Sequence, residues 1–224
     1  MNAIAERLTQ VRSQIPPQVR LIAVSKTFPA EAIRQAYHAG IRDFGESRIQ
    51  EAAEKQQALA DLTDICWHFI GRLQSNKAKK AIAQFDWIHT CDSLKLALRL
   101  DRLGGELGKV PKLCLQVKLR PDPNKQGWTP EQLAVDLATL DTCLHLDIQG
   151  LMTILPLGLN EREILATFQS VQALALELQQ QSWQRVQMQE LSMGMSNDYA
   201  IAIQAGATMV RLGRIIFGER ELLI

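Results

Sequence analysis

Arg20-Leu21-Ile22-Ala23-Val24-Ser25-Lys26 decides the fold: four apolar residues in succession, then a serine and a lysine. A run without polar alternation is buried on both faces, as strands of parallel sheets are, and such strands surface at their carboxyl ends. Lys26 therefore stands where α/β proteins place their chemistry. A lysine closing a strand is ordinarily the first solvated residue beyond the core, its stem lying along apolar surface. The functional alternative is an amine whose pocket desolvates it, so that it loses its proton and condenses with an aldehyde.

Outward from this strand the pattern repeats. An opening helix spans residues 3–13, and strand-like runs follow at 20–25, 41–45, 66–71, 87–90, 112–119, 146–153, 188–193 and 208–212. The connecting stretches read as helices. Pro29 suits a first helical turn, Ala30, Ile33, Ala36 and Tyr37 share a face, and Gly40 fits the position past the end. Ile164, Leu165, Phe168, Val171, Leu174, Ala175 and Leu178 form a longer stripe of the same period. Eight βα units with no sequence left over predict an α/β fold: one (β/α)8 TIM-like barrel with an extra N-terminal helix, a single domain over residues 1–224.

Two loops interrupt the alternation on the side where barrel loops line active sites. Residues 120–128, Arg-Pro-Asp-Pro-Asn-Lys-Gln-Gly-Trp, are a candidate lid after the fifth strand. Residues 156–160, Pro-Leu-Gly-Leu-Asn, repeat this more mildly after the sixth.

Charge is balanced, 25 Lys+Arg against 24 Asp+Glu, so no global field argues for nucleic acid or a membrane surface. The start of the chain lacks a signal-peptide pattern and no apolar stretch approaches a membrane span, so a cytoplasmic location is expected. Cys66, Cys91, Cys114 and Cys143 are scattered without paired spacing, so neither a disulfide frame nor a metal site is expected. No sustained exposed apolar stripe calls for a dimer, and a monomer is expected.

The last third carries a second clue. In Leu191-Ser192-Met193-Gly194-Met195-Ser196-Asn197-Asp198 a strand ends, a glycine permits close approach, and Ser196 is read as opening a helix. The unpaired N–H groups of a first helical turn favour an anion. The eighth strand ends at Arg211-Leu212-Gly213-Arg214, a second glycine at matching height, and barrels commonly seat a phosphate on the loops after strands seven and eight. Taken singly, Ser196 reads as an ordinary N-cap and Gly213 as a strand terminator. Arg211 reads as a salt-bridging strand arginine or as a permanent cation aimed at a ligand heteroatom. No G-x-G-x-x-G follows a strand and no Walker loop occurs, which disfavours nucleotide sites.

Together these segments, with Phe44-Gly45-Glu46-Ser47, Trp67-His68-Phe69-Ile70-Gly71-Arg72-Leu73-Gln74-Ser75-Asn76-Lys77 and Val210-Arg211-Leu212-Gly213-Arg214-Ile215-Ile216-Phe217-Gly218, resemble the pyridoxal phosphate homeostasis protein family over nearly the whole chain. That family is related to the barrel domain of alanine racemase. The resemblance implies a fold-type III barrel that binds pyridoxal 5′-phosphate (PLP) as a reversible Schiff base on Lys26 and takes part in vitamin B6 homeostasis. It implies further that Ser192, Gly194, Ser196 and Gly213 surround the phosphate and that Arg211 faces the ring nitrogen. Where the family usually reads Gly-Glu-Asn this chain has Gly45-Glu46-Ser47, so Ser47 takes the place of an asparagine beside the ring.

An arginine on the ring nitrogen weakens the electron sink that PLP catalysis uses. Alanine racemases offset this with a tyrosine base from a second domain, for which this chain is expected to have no room. Tyr37 lies on an apolar helix face and Tyr199 inside the helix after the phosphate turn, while His68 and His89 read as core residues of strands. The expectation is a cofactor holder with little or no turnover and no catalytic residues, its partners being PLP and the PLP-requiring enzymes it supplies. A PLP-dependent racemase or decarboxylase is the alternative, and a Schiff-base aldolase a third. Asn76-Lys77-Ala78-Lys79-Lys80 reads as a solvated helix face or a docking rim.

Overall fold

The computed structural model describes residues 3–219; Met1, Asn2 and residues 220–224, on which the readings of both chain ends partly rest, lie outside them. Eight parallel strands close into a barrel in sequence order: β1 (Arg20–Val24), β2 (Asp43–Glu46), β3 (Cys66–Phe69), β4 (Trp87–Cys91), β5 (Lys112–Gln116), β6 (Asp147–Met152), β7 (Glu190–Ser192) and β8 (Met209–Leu212). β8 pairs back onto β1, with Ile22 opposite Arg211. The expected barrel and its preceding helix, α1 (Ala3–Arg12), are both present.

Each strand leads into a helix: α2 (Ala30–His38), α3 (Ile49–Ala58), α4 (Ala78–Gln84), α5 (Leu94–Leu107), α6 (Pro130–Asp141), α7 (Glu161–Gln179), α8 (Tyr199–Gln204) and α9 (Arg214–Phe217). Local chemistry sets several of their ends. Thr129 with Gln132 and Asn160 with Glu163 form capping boxes for α6 and α7, each satisfying two backbone donors. α5 stops at Gly108, whose φ of 61° is the left-handed conformation glycine adopts without a Cβ penalty. Pro29 is the N-cap of α2 rather than a residue of its first turn. No helix among the described residues is long and apolar enough to cross a membrane.

Because side chains alternate along a strand, the barrel wall has two faces. Outward residues such as Ala23, Phe44, Phe69, Leu115, Leu151 and Val210 pack with the helices in the main core. The inward face holds a much smaller apolar cluster, Ile22, Trp87, Cys114, Met152 and Met209. His68, His89, Ser192 and Arg211 are also buried, and they bond to one another inside the barrel. Gly150 lets β6 approach β7, since a Cβ there would lie 1.8 Å from the Glu190 carbonyl oxygen.

Candidate functional site

Lys26 follows β1 on a tight turn. The Phe28 N–H donates to the Ser25 carbonyl at 3.0 Å, and Thr27 sits at φ 71°, a left-handed conformation that is strained for a β-branched residue. α3 holds this turn from outside the barrel. The Thr27 N–H donates to Glu51 Oε1 at 2.5 Å, and Lys55 Nζ donates to the Ser25 carbonyl at 2.9 Å. Lys55 Nζ also donates to Glu46 Oε1 and Glu51 Oε1, both at 2.7 Å, and Ser25 Oγ donates to Glu46 Oε1 at 2.7 Å. Both neighbours of Lys26 are therefore anchored by one ion cluster.

That cluster lies deep. Glu46 is fully buried and Lys55 is 7% exposed. Burial pushes the Glu46 carboxyl up, against the opposing pull of Lys55 and Ser25. Burial acts in the same sense on Glu51, but hydrogen bonds from Lys55 and Thr27 outweigh it and hold that carboxyl below its usual range.

On β8, the strand next to β1, Arg211 is 4% exposed. Its Nη1 donates to the carbonyl and to Oγ of Ser192, both at 2.6 Å, and its Nη2 donates to the Thr153 carbonyl at 2.9 Å. All three acceptors are neutral. Burial pulls the guanidinium down to about 10, which leaves it a cation at neutral pH.

A cavity of about 430 Å³ opens between these two sides, within the range of small-ligand pockets. Lys26, Ser196, Arg211 and Gly213 line it together, with Asn197, Asp198 and Arg214. Arg214 Nη2 donates to Asn197 Oδ1 at 3.3 Å. The apolar wall comes from Val24, Ile70, Met195 and the loop after β6, residues 154–159. Gly213 caps α9 beneath the cavity, where a Cβ would lie 3.2 Å from the Val24 carbonyl oxygen. Gly194 turns at φ 92°, and a Cβ there would stand 2.6 Å from Ala202 Cβ.

Several expectations are placed differently. Ser196 opens a turn, not a helix: α8 starts at Tyr199 after Asp198, whose Oδ1 accepts the Met195 N–H at 2.6 Å. Ser192 is fully buried, its hydroxyl lying between Arg211 and His89 in the barrel interior. Ser47 lines a separate cavity of about 500 Å³, beside Arg48, Arg72 and Lys77. The candidate lid at 120–128 does not border the pocket; its Gly127 and Trp128 fold back on Gln116, and the milder loop after β6 lines the site instead. Asn197 and Asp198 follow Ser196 directly and Arg214 follows Gly213, and that adjacency was the available signal.

Neither tyrosine reaches the pocket. Tyr199 donates its hydroxyl to Gln14 Oε1 and Tyr37 to Asp64 Oδ1, each at 2.5 Å. Asp43, Cys66 and His68 offer ligand atoms within 4.8 Å of one another. His68 Nε2 is already bonded to Asp43, however, and burial together with Asp43 pushes the Cys66 thiol up to about 12, so it keeps its proton.

The family model for "alanine racemase, N-terminal domain" matches residues 1–221. The pyridoxal phosphate homeostasis protein of Synechocystis sp. is 54% identical over 95% of this chain and 96% of its own length. The protein of the same name from Escherichia coli K12 is 38% identical over 99% and 98%. The structure of PipY from Synechococcus elongatus with PLP bound superposes with a TM-score of 0.92 at 55% identity, covering 96% of this chain and all of that one. An alanine racemase from Clostridium difficile, at 14% identity and a TM-score of 0.79, shares the fold.

Proposed function

The chain belongs to the pyridoxal phosphate homeostasis protein family, and on that premise we propose that it holds PLP through Lys26 and releases it again, with little or no turnover. One observation carries the reading: a single cavity brings together an amine on a braced turn, a buried guanidinium, Gly213 and the turn at Met195 to Asp198 that follows Gly194, while Gly194 itself does not line it. The residues fit the cofactor's three chemical ends. Lys26 suits its aldehyde, Arg211 would hold the ring nitrogen unprotonated, and the backbone about Gly194, Ser196 and Gly213 suits its phosphate, with Arg214 adding charge.

When bound, PLP supplies an electron sink for carbanion chemistry. The surrounding residues of this chain favour holding over turnover. Arg211 is a permanent donor, which disfavours the protonated ring, and Asp198 is engaged by the Met195 N–H. No tyrosine or histidine lines the cavity among the described residues. In this reading residues 1–224 form one domain that acts as a monomer and supplies PLP-requiring enzymes.

The test is Lys26→Ala. The variant should keep the far-ultraviolet circular dichroism of the wild type and fail to develop the visible PLP absorption. A folded variant that still colours would place the cofactor on another amine, and loss of α-proton label from amino acids by the wild type would promote the racemase reading.

A further inference from the structure

Below Arg211 a line of buried polar side chains crosses the barrel interior. Ser192 Oγ lies 2.8 Å from His89 Nδ1, His89 Nε2 lies 2.9 Å from His68 Nδ1, and His68 Nε2 lies 3.0 Å from Asp43 Oδ1. With Arg211 Nη1 on Ser192 Oγ, five residues from β2, β3, β4, β7 and β8 form one unbroken chain. Ser192, His89 and His68 are each 0% exposed, whereas Asp43, at the amino-terminal mouth, is partly open.

Donor and acceptor chemistry gives the chain a direction, and the two ends agree on it. A guanidinium only donates, so Ser192 Oγ receives from Arg211. A carboxylate only accepts, and Asp43, which also has Arg20 Nε at 4.0 Å, lies on His68 Nε2, so the proton on His68 sits at Nε2. His68 Nδ1 is then an acceptor, His89 must donate from Nε2, and His89 Nδ1 accepts the Ser192 hydroxyl proton. Every member is satisfied with both rings neutral. The reverse direction would point a His68 lone pair at a carboxylate or require a buried imidazolium. Burial holds both imidazoles below their ordinary range, in keeping with neutral rings.

We infer that Ser192, His89, His68 and Asp43 form a one-directional hydrogen-bond chain that fixes the orientation of Arg211 at the pocket floor, with both histidines acting as positioning residues in the neutral Nε2–H form. The chain also assigns Ser192: its oxygen accepts a hydrogen bond from Arg211 and its hydroxyl donates one to His89 Nδ1, so its side chain serves the guanidinium and leaves phosphate contacts to the backbone turns. Aligned dipoles between a cation and a carboxylate reinforce one another in a low-dielectric interior.

Long-range proton–nitrogen NMR on the cofactor-free protein tests this without relying on the PLP reading. At neutral pH both rings should show a protonated Nε2 and an unprotonated Nδ1. An Nδ1–H tautomer or an imidazolium at either ring overturns the chain. His89→Leu should speed exchange of the Arg211 guanidinium protons on the order of tenfold, the loss expected when a supporting hydrogen bond goes. His89→Gln, which can accept from Ser192 and donate to His68, should restore slow exchange. Equal exchange in all three proteins would reduce the histidines to packing. Should both variants misfold, the wild-type tautomers still decide the question.

Discussion

The two walls of the cavity hold buried charge in opposite ways. On the Lys26 wall, Glu46, Glu51 and Lys55 meet within 2.7 Å and brace the turn from outside the barrel. On the Arg211 wall, a cation donates its hydrogen bonds to neutral acceptors, Asp198 acts on it through space, and a hydrogen-bonded path runs through three uncharged side chains to Asp43. The first wall is a contact ion cluster that fixes backbone. The second is a relay that fixes a side chain and keeps the cation's remaining N–H groups available. The difference teaches where each kind of wiring is useful: paired charges brace a strained turn, and a guanidinium held by neutral acceptors faces the cavity.

The comparison breaks most visibly at Lys55. Lys55→Met leaves Glu46 buried without its cation, and a loss of about 3–5 kcal/mol is expected in urea unfolding. Combining it with Glu46→Gln should recover a large part of that loss, because the stranded charge goes too. If Lys55→Met costs less than 1 kcal/mol by the same measure, on the order of an exposed pair, the cluster does not brace the turn.

Arg211→Met should cost less, about 1–3 kcal/mol, since it strands only neutral acceptors at Ser192 and Thr153 while removing a desolvated charge. Equal losses at Arg211 and Lys55 would erase the distinction between the walls.

Acid sharpens the comparison. His68 and His89 have folded-state values below the unfolded value near 6.5, so the unfolded chain binds more protons beneath that pH. Their contribution is complete above about 6.5 and is lost as pH falls, by up to about 1.4 kcal/mol per pH unit for each ring. Groups facing the rings are Asp43 on β2, Arg20 on β1, Arg211 on β8 and Asp86 before β4. Glu46, whose value is raised, acts in the opposite sense at lower pH. His68→Gln should flatten the acid slope of the unfolding free energy; an unaltered slope would place the titrating group elsewhere.

The smallest effect is expected at Thr27. Thr27→Gly relieves the strain at φ 71° but frees the unfolded chain, and the two changes should cancel to within about 0.5 kcal/mol in thermal unfolding.

The barrel was legible in the sequence because β1 is a continuous apolar run, Leu21–Val24, and because strand-like and helix-like patterns alternate from it to the end of the described chain. Lys26, Arg211 and Gly213 were legible because they sit at strand ends, where a run stops. The relay was not: His89 and Ser192 are 103 residues apart in sequence, and only strand register brings them to 2.8 Å. Nor was the brace, since nothing in the sequence pattern links Lys55 on α3 to Glu46 on β2; only the packing of α3 against the strand brings them to 2.7 Å. The loop at 120–128 misled through composition, as proline and glycine mark a turn without saying which way it folds.

The most direct test of the account is borohydride reduction of the protein after incubation with PLP, followed by peptide mapping. The expected result is one cofactor per chain fixed on Lys26, with Lys55 unmodified because its amine is already bound by Glu46 and Glu51. Label on another lysine, or none, would contradict the central claim that the braced turn exists to present Lys26 to PLP.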